Sequence, residues 1–305
     1  MMKHFIQRLA VFWFATLAIA TGLSAACLWQ LRQSAFYKPA FLVNAVPEDR
    51  FDYIVLGAST GLTTLDTKTI DSILPTRGLN LAVDDTSMPG HYLMLQHFLA
   101  QGKKTTYCIL APNNLNFGTE HDALSNNDYR FLMYVNRPYV QDYYRQFSGR
   151  TARLLQGSAW FPVLGVAYYN AELFYPALLS LTDSQRRHRF DDRGNYAYPQ
   201  AVHTLPTGQT RAVKSLRFTN PYLEKIKALC AQHKITLLCY VSPMASTTIA
   251  ADTENYQVIN HSDLLTDTSL FYDEVHVNRA GRNRVGKAFA TQWASLLTLN
   301  PDSTP

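Results

Sequence analysis

Three side chains in this sequence have the types that acyl transfer through a serine requires: Ser59, Asp273 and His276. Ser59 lies in the small-residue turn Gly57-Ala58-Ser59-Thr60, directly after the apolar run Tyr53–Leu56. In an α/β protein, side chains leaving the carboxyl ends of parallel strands face the ligand crevice, so a serine there is well presented. Its hydroxyl is a weak nucleophile and needs a base, and the base needs an acid to orient it. The segment from Leu270 to Asn278 supplies both. On a loop, Asp273 can hydrogen-bond the ring of His276 and fix its tautomer; His276 then takes the proton from Ser59, and Asp273 stabilises the imidazolium. A single Asp and His at this spacing are common, and a lone histidine is more often structural. The serine turn after the first strand and the closing pair before the last helix make the combination informative.

Other chemistries fit less well. The stretch Gly57–Gly61 resembles a phosphate loop but lacks the lysine such a loop needs. His91, His97, His121, His261 and His276 show no metal-ligand spacing, so neither a metal nor another cofactor is expected. Cys27, Cys108, Cys230 and Cys239 have no paired spacing and read as buried thiols, with a disulfide between two of the last three left open.

The chain has 305 residues, 47% of them hydrophobic, which suffices for a large core. A net charge of +5 without a long Lys/Arg run argues against nucleic acid as a partner. From Leu9 to Trp29 there is no charged residue, about the length needed to cross ~30 Å of hydrocarbon. Residues 1–31 therefore read as a cytoplasmic tip and transmembrane anchor, with Lys3 and Arg8 keeping the amino terminus inside and the rest extracytoplasmic. A signal peptide cleaved near Ser24-Ala25-Ala26, or a lipoprotein signal at Cys27, is the alternative. Residues 32–50 read as a tether.

Beyond it, apolar strands are expected at Tyr53–Leu56, Gly78–Val83, Thr105–Leu110 and Ile235–Val241. Helices are expected at Leu65–Ile73, His91–Ala100, Pro221–His233 and Ala280–Leu297, the last capped by Asn278. This alternation predicts an α/β domain over 51–305, a parallel sheet with helices on both faces. Between about 115 and 217 the alternation stops, so a mostly helical insertion is expected. Tyr129, Tyr134, Tyr139, Tyr143, Tyr144, Tyr168 and Tyr169 cluster there and suit either packing or a polar-rimmed surface for a sugar. The run Arg186–Arg189 with the turn Asp191–Asn195 reads as a solvated turn or a substrate contact. Arg279, Arg282, Arg284 and Lys287 read as a solvated helix face or a lure for an anionic polymer.

Taken together, the chain resembles the SGNH (GDSL-like) hydrolase superfamily, in its membrane-anchored, envelope-modifying branch. Gly57-Ala58-Ser59 matches the family's first block and Asp273-Glu274-Val275-His276 its last. Ala111-Pro112-Asn113-Asn114 approximates the third, which places the oxyanion-hole asparagine at Asn113, or at Asn114 if the register is one residue off. The second block normally offers a glycine N–H; here the strand from Asn80 is followed by Asp84 and Asp85, and Asp85 falls near the glycine's place. A backbone N–H survives, but a carboxylate beside a developing oxyanion is unfavourable unless it points away.

The resemblance implies a three-layer, flavodoxin-like sheet and no cofactor. It also implies a serine esterase or O-acyltransferase at the cytoplasmic membrane, its catalytic domain in the periplasm, acting on an acylated cell-envelope glycan beside a membrane-bound O-acyltransferase. A non-catalytic polysaccharide-binding or assembly protein of the same fold, and a lipase or thioesterase, are the alternatives.

Overall fold

The computed structural model describes residues 2–119, 123–200, 210–253 and 255–299. In chain order it runs α1 (Met2–Arg32), α2 (Lys38–Asn44), β1 (Arg50–Gly57), α3 (Ser59–Thr64), α4 (Thr67–Ile73), β2 (Gly78–Asn80), α5 (Met88–Ala100) and β3 (Lys104–Ala111). There follow α6 (Pro138–Arg145), α7 (Arg150–Gly157), α8 (Val163–Tyr169) and α9 (Ala171–Thr182). The chain then returns through β4 (Ala212–Arg217), α10 (Pro221–Gln232), β5 (Thr236–Val241), β6 (Thr247–Asp252), β7 (Gln257–Asn260) and α11 (Arg279–Leu299). These elements form two units. One gathers the chain up to Val46 with residues 123–124 and 128–188; the other gathers residues 47–119, 125–127 and the chain from Arg189 onward.

The second unit is α/β. Its central sheet has the order β2-β1-β3-β5-β7, and every pairing is parallel. Parallel strands are buried on both faces and so read as continuous apolar runs, as β1, β3 and β5 do. Tyr53, Val55, Tyr107, Ile109, Leu238 and Tyr240 point to the face covered by α11, where Val285, Phe289 and Trp293 recur at helical spacing and are buried with them. Trp293 meets Tyr53 and Tyr107 edge-on, with ring centroids 5.0 and 5.3 Å away. Cys108 alternates to the opposite face, against Cys230 of α10. All four cysteines are free and buried. A separate two-stranded parallel sheet pairs β4 with β6.

The first unit is helical. α1 is long and apolar enough to cross a membrane, and its first half is exposed on all sides. Residues 32–50 do not form an open tether. Pro39 sits in the first turn of α2, where it disrupts no hydrogen bond, and Ala40, Phe41 and Leu42 are fully buried. The helical part of the expected insertion, α6–α9, clusters with these amino-terminal helices, whereas residues 189–200 and β4 belong to the α/β unit. Four of the clustered tyrosines, Tyr129, Tyr134, Tyr143 and Tyr144, are packing residues. Tyr143 donates to the Asp128 carboxylate at 2.7 Å and Tyr144 to its carbonyl at 2.9 Å.

Candidate active site

Ser59 opens α3 at the carboxyl end of β1, and the turn before it is set by close backbone approach. A Cβ on Gly57 would stand 1.9 Å from the Ala111 carbonyl oxygen, and one on Gly61 would stand 2.6 Å from the same atom. Only glycine fits at either position, so the end of β3 lies directly against the serine turn. Thr60 Oγ1 fastens the two by donating to the Pro112 carbonyl at 2.9 Å. Asn80, at the end of β2, adds a second brace: its amide nitrogen donates to the carbonyls of Gly61 and Leu65 at 3.2 and 3.1 Å.

The loop before α11 brings the other two groups. Phe271 and Val277 bridge in antiparallel fashion, which folds Tyr272–His276 into a tight projection. Asn278 locks its exit. Its Oδ1 caps α11 by accepting from the N–H groups of Ala280 and Gly281, and its Nδ2 donates to the carbonyls of Ser269 and Phe271. Arg282, expected on a solvated face, instead reaches Asp66 at 3.4 Å with both side chains largely covered. That contact joins α11 to the connection between α3 and α4, and so ties the two halves of the site together.

The structure brings Ser59, His276 and Asp273 into one hydrogen-bonded line. Ser59 Oγ lies 2.8 Å from His276 Nε2, and His276 Nδ1 lies 2.8 and 2.9 Å from the two Asp273 carboxylate oxygens. A carboxylate only accepts, so Nδ1 carries the ring proton and Nε2 faces the serine with its lone pair. Asp273 Oδ1 also accepts from the N–H groups of Val275 and His276, each at 2.9 Å. Partial burial opposes ionisation of Asp273, but these hydrogen bonds outweigh it and hold its carboxyl below the ordinary range. The line has the geometry for a serine to lose its proton to an imidazole as it attacks.

No family model and no curated protein matches this chain.

The remaining expected site residues divide. Asn113 is half-buried, and its Oδ1 accepts from Leu115 N–H at 3.2 Å, capping a short 3₁₀ turn. Its Nδ2 has no protein acceptor among the described residues. Asn114 is occupied at both ends. Its Nδ2 donates to the Ser242 carbonyl at 2.9 Å and its Oδ1 accepts from Ser242 N–H at 2.9 Å. It buttons the end of β3 to the end of β5, a structural role that leaves Asn113 the stronger candidate donor of the two. Asp85 is exposed and adopts φ +50°, the left-handed conformation that favours glycine and that Asp tolerates. The backbone therefore makes the turn that a glycine would make, while adding a carboxylate.

These positions separate two asparagines by measurement. Asn113→Ala should lower the turnover number by about 10²- to 10³-fold with little change in the Michaelis constant, because an oxyanion donor acts only as charge develops. Asn114→Ala should instead lower the urea midpoint, since it strands buried polar groups of Ser242 at a cost of about 1–3 kcal/mol each. If Asn114→Ala gives the turnover loss and Asn113→Ala does not, the register assigned to this segment is wrong.

Two neighbours carried no sequence signal. Tyr198 stacks on Tyr272 with centroids 4.3 Å apart and planes at 9°, and lies 5.1 Å from the His276 ring; Tyr196 packs edge-on behind it. Burial, then Tyr196, then the negative charges of Asp84, Asp273 and Asp85 push the Tyr198 phenol up to about 12, so it stays protonated. Arg211 is the other. Its guanidinium donates to the carbonyls of Met244, Thr247, Ser262 and Leu265. The loop it gathers braces the projection, with Ala245 N–H on the Glu274 carbonyl and Ser246 on the Glu274 carboxylate. The Asp191–Asn195 turn is a structural lock: buried Asn195 accepts from Thr67 N–H at 3.0 Å, and Lys68 pairs with Asp191 and Asp192. Among the described residues no three His, Cys, Asp or Glu side chains are grouped to hold a metal; His121 lies outside them.

Proposed function

We propose that this protein is an SGNH-like serine esterase or O-acyltransferase, anchored in the cytoplasmic membrane and working on its periplasmic side. One observation carries the reading: Ser59 Oγ, His276 Nε2 and Asp273 stand in hydrogen-bonded sequence across 217 positions of chain. Ser59 attacks the acyl carbon as its proton passes to His276. The tetrahedral oxyanion is held by Ser59 N–H and Asn113 Nδ2. Collapse releases the first alcohol, and water or a second hydroxyl takes the acyl group. The five strands of the main sheet, counted along the chain, lie in the order 2-1-3-4-5, which supports the flavodoxin-like form of the fold. Burial of Ser24, Cys27 and Leu28 within the helical unit supports an anchor that stays in place over one cleaved near Ala26.

The substrate that suits the site is a neutral acyl ester on a cell-envelope glycan, with a membrane-bound O-acyltransferase as the companion enzyme. Tyr272, partly exposed and stacked on Tyr198, offers the outer face of its ring to a sugar. Asp84, Asp85 and Asp273 all act on Tyr198, so a neutral acceptor is favoured over an anionic one on that side. The exposed Asp85 carboxylate also favours a second reading, a glycan-binding or assembly protein whose oxyanion hole is too weak for turnover. A serine-directed fluorophosphonate separates the two. The folded protein should form a covalent adduct mapped to the peptide containing Ser59. A folded protein that takes up none at saturating reagent is the binding protein.

A further inference from the structure

Apart from Glu172 at its start, and Ser180 and Thr182 at its end, α9 is apolar on every side. Leu173, Pro176, Ala177 and Ser180 are buried in the helical unit, while Tyr175, Leu178 and Leu181 recur at helical spacing on its other face, each about 60% exposed or more. A helix that is hydrophobic on every side normally sits inside a core or a membrane. The segment leading into α8 adds Trp160, 83% exposed, and Phe161, and α8 itself adds Leu164 and Tyr168. Scattered exposed apolar residues need no explanation, but two consecutive helices carrying them at this density do.

The position of these helices on α1 says what covers them. At about 1.5 Å per residue, the uncharged run from Leu9 to Trp29 is about 31 Å long, the thickness of a bilayer's hydrocarbon. Ala20, Thr21, Ser24, Cys27, Leu28 and Leu31 form one stripe, partly or fully buried against the rest of the unit, and α9 and α8 are the main elements packed on α1. Gln30 reaches the Ser180 carbonyl at 3.0 Å. The packed stripe thus begins at Ala20, about 14 Å before the uncharged run ends. If the whole run lies in hydrocarbon, what packs on its second half lies at that depth too. Leu23 and Trp29 remain exposed on the same stretch of α1. The single acidic side chain of α9, Glu172, accepts from Tyr129 at 3.0 Å, and Arg186 stands exposed just past the helix end, where a long basic side chain can reach anionic headgroups.

The geometry points to a lipid bilayer as the occupant of this face: α8 and α9 lie in the leaflet at the carboxyl end of the span, alongside α1. The inference rests on α1 crossing the membrane and is independent of the catalytic reading. The test uses the full chain reconstituted in vesicles of phosphatidylethanolamine and phosphatidylglycerol with brominated acyl chains. Cys27, Cys108, Cys230 and Cys239 are buried, so a fluorophore can be placed on one introduced thiol at a time. With Leu178→Cys or Leu181→Cys, emission should be lost to brominated lipid to the extent seen with Leu17→Cys in the span. With Arg145→Cys, on an exposed position of α6, it should persist. Quenching at position 17 without quenching at 178 and 181 overturns the inference and assigns the face to a protein partner. No quenching at position 17 overturns it as well, by removing the span it depends on.

Discussion

Ser59→Ala should abolish turnover of an activated acyl ester, lowering the turnover number by about 10⁶-fold, roughly 8 kcal/mol of transition-state stabilisation. His276→Ala should cost about as much, and the double variant scarcely more, because nucleophile and base act as one unit. The 2.8 Å contact between Ser59 Oγ and His276 Nε2 is the reason: each group is chemically inert in this role without the other. Ser59 is half-buried and its hydroxyl bonds the His276 ring, not the backbone of α3, so the alanine variant should unfold within about 1 kcal/mol of wild type in urea. Additive losses, or a Ser59→Ala variant that still turns over, would show that the line of three groups is not the catalytic one.

The second large effect is expected at Asp273. In Asp273→Asn an amide N–H₂ can face the ring, and Nδ1 must then accept. The proton moves to Nε2, and the lone pair that Ser59 needs is gone. Turnover should fall by about 10⁴-fold with binding little changed. A loss smaller than about tenfold, roughly 1.4 kcal/mol, would sink the orienting role. Stability supplies an independent readout. The folded-state carboxyl titrates below its unfolded value, ordinarily about 3.9. Its stabilising contribution is therefore present above that pH and lost as pH falls through the folded value. Any stability gap between wild type and Asp273→Asn should accordingly narrow below about pH 4.

The parts of this protein legible in its sequence are those whose signals are local. β1, β3 and β5 are continuous apolar runs because a parallel sheet buries both faces, and Asn278 announces the start of α11 by cap chemistry. β7 was not legible: only Val258 and Ile259 are apolar in its four residues, and it becomes a strand by pairing with β5. β4 is exposed at all but one position, so it carries no buried pattern to detect. α2 hid behind polar flanks, although its apolar centre is fully buried. In the site, the serine turn and the Asp–His pair could be named from residue type and spacing. Tyr198 could not, because it reaches His276 through a bridge to Asn278 that joins distant segments. The structural role of Asn114 was likewise hidden, because its partner Ser242 lies far along the chain.

If Ser59, His276 and Asp273 form the proposed triad, the separation of 217 positions from Ser59 to His276 also governs when the chain becomes reactive. A chain made from its amino terminus presents the serine turn early, with β1 and β3 available to shape it. The imidazole arrives only with the segment before the last helix, and long-range pairings of this kind form slowly. Until then Ser59 is an ordinary alcohol. On the proposed triad, a product cut short before Asp273 would carry the nucleophile without its base and should not react with a serine-directed fluorophosphonate. On that reading, completing the segment before α11 is the step that arms the serine.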